Sequence, residues 1–227
     1  SGHLIHSTKD YPGAEPLLRD LLEKCQRELR SNDVITLVLE NDRAHLLKEK
    51  RFLGEAERLF LEVGNRSRQT HGTDTPDSLF LPVILGTFYS AYGYYSAAEN
   101  HSRPAYDRMR KVLDSKHDYI LKALDALAKL DLAQAKFEEA EQHRRELVEL
   151  TRQNQGAGSP RHLRSAQSLA DLYGRLGRWE ACAEIYAELA RHDTNNAAVF
   201  AVGMVPTWLA GKPEAATRLA REAVNRF

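Results

Sequence analysis

Histidines, cysteines and clustered carboxylates are the side chains from which catalysis or metal binding is usually built, and in these 227 residues their spacing argues for neither. His101 and His143 stand 42 residues apart, in one column of a repeated pattern. A metal pair on adjacent helices would have this spacing, but so do histidines of an outer or interhelical face. His6, His45, His71, His117, His162 and His192 show no ligand spacing among themselves. Cys25 and Cys182 are far apart and form no C-x-x-C pair, so neither a disulfide framework nor a thiolate metal site is indicated. A reducing, cytoplasmic setting is the expectation. No G-x-x-x-x-G-K-[ST], G-x-G-x-x-G, H-E-x-x-H or G-x-S-x-G motif occurs. Glu138-Glu139-Ala140-Glu141 followed by Arg144-Arg145-Glu146 offers i, i+4 pairing on a solvated helix face, a simpler reading than catalytic carboxylates. The sequons at Asn65 and Asn100 are read as chance matches on helices. No catalytic residue, metal or cofactor is expected, which leaves recognition as the chemistry to look for.

Charge narrows what is recognised. There are 32 basic and 32 acidic residues, a formal net charge of zero, and a pI near 7.1. A general nucleic-acid binder concentrates Lys and Arg against phosphates, so that class is excluded. With 28% charged residues and a mean hydropathy of -0.52, the chain reads as a folded, soluble protein. The longest apolar runs, such as Leu79 to Leu85, are soon interrupted and fall short of the roughly 20 residues a membrane span needs. Ser1-Gly2-His3 lacks the features of a signal peptide and reads as the scar of a cleaved expression tag, so sequence is expected upstream of it.

Alanine and leucine far outnumber the β-branched residues, which favours helix over strand. A fixed period organises them. Ala14, Ala56, Ala98, Ala140 and Cys182 follow one another at 42 residues, and Ala216 comes 34 later. Three positions earlier stand Tyr11, Leu53, Tyr95, Phe137, Trp179 and Pro213; seven later stand Leu21, Val63, Ala105, Leu147, Leu189 and Ala223. These positions share one helical face. Gly93, Gly177 and Gly211 lie five before the column, where a tight turn between helices favours a residue without a Cβ. The preceding helix echoes the period in Leu85-Gly86 with Tyr89, Leu127-Ala128, and Leu169-Ala170 with Tyr173. Pro76 and Pro160, after Thr75 and Ser159, suit the first turn of a helix beside a capping residue. Each unit is therefore a helical hairpin, A then B, followed by a loop.

These residues resemble the tetratricopeptide repeat (TPR) family, and the 42-residue stride with its Gly- and Pro-bearing loop is similar to the kinesin-light-chain type. The resemblance implies an all-α solenoid of about eleven helices forming a right-handed superhelix. A helices are expected near 34–49, 76–91, 118–133, 160–175 and 196–209, and B helices near 12–30, 53–70, 95–114, 137–153, 179–192 and 213–226. One TPR domain covers 1–227: a partial repeat at 3–30, full repeats at 34–73, 76–115, 118–157 and 160–194, and a 34-residue-type repeat at 196–227. Only final turns of a first A helix fit between His3 and Thr8. Pro82, Pro104 and Pro206 fall inside expected helices and should bend or shorten them. Ser102 and Arg144 stand where Leu18, Phe60 and Tyr186 are bulky and apolar, so the middle of the array is expected to be looser or to contact something extra.

In the family, A helices line the concave surface, at positions 18, 15, 11 and 8 before the reference alanine. Carried over, this implies Val38, Asn41, His45 and Lys48 in one repeat and Phe80, Val83, Thr87 and Ser90 in the next. Lys122, Asp125, Lys129 and Leu132 follow, then Arg164, Gln167, Asp171 and Gly174 with Arg175 alongside. Asn41 can donate to and accept from a peptide backbone, the cations can meet acidic groups, and Phe80 with Val83 forms an apolar patch. Asp125 and Asp171 offer internal pairs to neighbouring cations. The expected partner is a protein or peptide, extended and acidic with one apolar anchor; no nucleic acid or membrane is expected. Two other roles are open: a regulatory segment of a larger signalling enzyme, or a self-assembling element pairing through its N-terminal half-repeat or the apolar stretch Val199 to Leu209.

Overall fold

The computed structural model describes residues 11–29, 33–192 and 197–226. The tag scar, the final turns expected between His3 and Thr8, and His6 lie outside the described residues, as does the side chain of Ala14.

Eleven helices and no strand are found among the described residues. In chain order they are α1 (Tyr11–Glu28), α2 (Val34–Glu49), α3 (Leu53–His71), α4 (Pro76–Ala91), α5 (Tyr95–Val112), α6 (Asp118–Ala133), α7 (Phe137–Gln155), α8 (Pro160–Arg175), α9 (Trp179–His192), α10 (Ala197–Leu209) and α11 (Pro213–Arg226). The even-numbered helices are the A helices and the odd-numbered ones the B helices.

Local signals explain where these helices begin and turn. Thr75 and Ser159 accept from the backbone N–H of Ser78 and His162, with Pro76 and Pro160 in the first helical turn. Asp33 and His117 cap α2 and α6 in the same manner. At each A-to-B turn one residue takes a left-handed backbone: Arg51 (φ 69°), Gly93 (81°), Ala135 (57°), Gly177 (68°) and Gly211 (75°). All five lie five residues before the reference column, so Arg51 and Ala135 carry a strain that glycine avoids.

Packing confirms the column's purpose. Ala56, Ala98 and Ala140 have no exposed surface, and Cys182 and Ala216 keep only 3% each. Gly86 lets α4 and α5 approach closely: a Cβ there would overlap the Ser102 hydroxyl and lie 3.0 Å from the Ala98 carbonyl oxygen. Of the bending or shortening expected at Pro82, shortening does not occur. α4 has 16 residues, as do α2, α6 and α8, because one lost backbone donor is outweighed by burial of Leu79, Leu81, Val83 and Leu85 on the same helix.

The packing divides the chain into two compact units, Ser1–Asp114 and Ser115–Phe227. In the first, α2, α3 and α4 bury Ala44, Phe60, Leu85 and Phe88 together, while Leu18, Leu22 and Cys25 of α1 close against Leu39 and Leu46. In the second, Leu169, Tyr173, Cys182, Tyr186 and Leu189 form a core that Val199 completes.

Candidate interaction surface

The A helices of each unit place the expected recognition residues, and the structure assigns them different environments. In the first unit Asn41 is buried, and its side-chain Oδ1 has no hydrogen-bond partner. An unmet buried acceptor carries a penalty. His45 packs edge-on against Phe60 at 5.0 Å, and Lys48 lies 3.1 Å from Glu49. Phe80 is half-buried, whereas Val83 is 1% exposed and packs in the core instead of presenting an apolar surface. Thr87 is exposed but donates its hydroxyl to the Ile84 carbonyl at 2.7 Å.

The second unit is more charged on this side. Lys122 is 2.8 Å from Asp118, which Arg161 also reaches. Burial alone would raise the Asp118 carboxyl, but hydrogen bonds from Arg161 and Lys122 outweigh it and hold the group below its ordinary value. Lys129 pairs with Asp125 at 2.6 Å, the internal neutralisation expected of that aspartate. Asp171 is met by a tyrosine: the Tyr186 hydroxyl donates to it at 3.2 Å. Burial and the Asp171 carboxylate both push that phenol upward. Arg164, Gln167 and Arg175 are exposed on α8.

Two features lie outside the recognition row expected from sequence. Arg144 of α7 is 7% exposed, with Nε and Nη1 enclosed and without hydrogen-bond partners. The charged groups that bear on it are Asp125 of α6 and Asp171 and Arg175 of α8. Its break from the bulky apolar column was the available signal. The other feature is an apolar row on α10, where Val202, Val205 and Trp208 are 47, 53 and 61% exposed. Val205 and Trp208 lie 11 and 8 before Ala216, so the positions implied for four repeats continue into the last one.

The histidine column separates into two unlike sites. His101 stacks on Tyr89 at 5.4 Å and 18° between ring planes, and burial pulls its pKa down. His143 Nδ1 is 2.7 Å from Asp131 Oδ2, a carboxylate with no exposed surface. Among the described residues no group of three or more His, Cys, Asp or Glu side chains is placed to hold a metal, and no helix is long and apolar enough to cross a membrane.

Repeat-to-repeat polar contacts hold the hairpins in register. The Tyr89 hydroxyl donates to Glu57 at 2.5 Å, and burial together with that carboxylate pushes its pKa up to about 12. The Tyr173 hydroxyl makes the corresponding bond to Glu141 at 3.0 Å, where Arg145 and Arg178 also converge.

No protein-family model and no curated protein matches the chain. Among solved structures, BtubC (BKLC) from P. vanneervenii superimposes with a TM-score of 0.78 at 16% identity, over 96% of this chain and 89% of that one. A putative kinesin light chain of Podosopora anserina, described by its nearly identical TPR-like repeats, gives a TM-score of 0.64 at 21% identity, over 83% of this chain and 90% of that one. The chain has a TPR fold. YrrB, a TPR protein with an unusual peptide-binding site, gives 0.55 at 13% identity over 90% of each chain. At these identities the likeness is one of fold.

Proposed function

We propose that this TPR solenoid is a non-catalytic binding module that takes an extended, acidic polypeptide segment along its A helices. The observation that carries the reading is on α8, where Arg164 and Arg175 are exposed and enter no ion pair among the described residues. Held on a rigid helix, these cations favour carboxylates of a partner. The fold also carries a peptide-binding site in YrrB. Cys25 and Cys182 are both free and buried, which supports work in a reducing, cytoplasmic compartment.

A peptide array tests this. Segments mixing Asp or Glu with one apolar residue should bind, and their Asn or Gln counterparts should not. Arg164→Ala with Arg175→Ala should weaken binding about tenfold or more with helicity unchanged. Equal capture of acidic and neutral peptides would reject the reading.

A second reading, self-association, rests on the exposed row Val202, Val205 and Trp208. Light scattering over a concentration series decides it: a monomer throughout eliminates assembly, and association abolished by Trp208→Ser would establish it.

A further inference from the structure

We infer that two copies of this chain pair through α10, antiparallel and about a two-fold axis, with Trp208 of each copy seated over Ala198 of the other; the inference rests on the self-association reading above. The helix presents Ala198, Ala201, Val205 and Trp208 on one side, at the i, i+3, i+7, i+10 spacing of a helix–helix seam. Ala198 is exposed and Ala201 half-buried, while Val205 and Trp208 keep 53 and 61% of their surface. Val202 and Leu209 flank the seam at 47 and 42%.

The chemistry of the row selects its occupant. None of the 13 residues of α10 carries a charge. The cations proposed to hold an acidic segment, Arg164 and Arg175, are on α8, so a carboxylate entering over α10 would lose water and meet no cation there. An uncharged apolar helix is the complementary surface, and α10 of a second copy is one. Side-chain size then fixes the direction. The seam is small in its N-terminal half, at Ala198 and Ala201, and large in its C-terminal half, at Val205 and Trp208. Antiparallel pairing sets Trp208 against Ala198 and Val205 against Ala201, large into small at both ends, and opposes the helix dipoles. Parallel pairing would press Trp208 onto Trp208 and leave a gap between facing alanines. The antiparallel contact is isologous, so it closes at two copies and does not extend into a filament. A seam one helix long is small beside the roughly 1,200 Å² or more of stable complexes, so dimers form at high concentration and part on dilution.

Sedimentation velocity of the full chain over a concentration series tests this, with circular dichroism to verify helicity. Trp208→Ala and Ala198→Trp should each weaken dimerisation about tenfold or more, the first by removing the large side chain and the second by filling its place. The double variant, Ala198→Trp with Trp208→Ala, exchanges the two sizes and should regain most of that loss. Single variants without effect, or a double variant no better than either single one, would place the contact elsewhere; that overturns the inference and leaves self-association standing. A wild-type chain that stays monomeric at every concentration removes self-association itself, and this inference with it. If the monomer instead captures an acidic peptide bearing one apolar residue, and Trp208→Ala abolishes the capture, α10 is a peptide anchor and the two-fold seam is rejected.

Discussion

The hairpins α4–α5 and α6–α7 depart from the repeat at the same position and resolve the departure in opposite ways. In α4–α5 the bulky side chain is replaced by Ser102, and the helices close over it because Gly86 has no Cβ. In α6–α7 the place is taken by Arg144, facing a helix that carries Ala128 where the other carries Gly86. The first solution removes volume and leaves the contact tight. The second keeps volume and adds a buried charge without a hydrogen-bond partner. A small-residue pair at one repeat position is explained by packing alone, whereas a buried cation at the same position is a cost that packing does not offset.

The largest expected effect breaks the tight solution. Gly86→Val should lower the stability of the first unit by about 3 kcal/mol, since its Cβ meets the Ala98 carbonyl as well as Ser102, and Ser102→Gly in the same chain should restore part of it. Urea melts followed by circular dichroism measure both. The converse holds for the charged solution. Arg144→Phe, which copies Phe60, should raise the stability of the second unit by about 2 kcal/mol. Unchanged melting there would mean that the guanidinium is not an internal burden.

Smaller effects sharpen the comparison at the turns. Ala135→Gly should stabilise by about 0.5 kcal/mol, and Gly177→Ala should destabilise by about 1 kcal/mol, because both positions are left-handed. Thermal melts of the pair should move in opposite directions.

The smallest effect is in pH. Burial would raise the Glu141 carboxyl, but hydrogen bonds from Tyr173, Arg178 and Arg145 outweigh it and leave it below its ordinary 4.5. A depressed carboxylate contributes stability above its unfolded pKa and loses it as pH falls through the folded one. Wild-type melting should therefore decline below pH 4.5, and Glu141→Gln should flatten that part of the curve.

Much of the fold was readable before any coordinates. The spacing of Ala56, Ala98, Ala140 and Cys182 placed every B helix from α3 to α9 to within two residues at either end, because a buried small residue recurs wherever two helices must touch. Glycines marked three turns. Arg51 and Ala135 adopt the same left-handed backbone, but side-chain type alone does not announce it. The recognition residues were legible as positions and not as environments. Val83 carries the right register but is enclosed, and Lys122, Lys129 and Asp125 are already paired.

Periodicity by itself determined the helical hairpins, their order and the faces they bury, since each repeat must present an apolar stripe to its neighbours. Tertiary structure alone decided which polar groups on the other side remain unmet. Pairing depends on side chains brought together from helices about 40 residues apart, such as Arg161 with Asp118 and Arg178 with Glu141. No spacing along the chain says whether Arg144 has found such a partner; the distances in the folded protein show that its Nε and Nη1 have not.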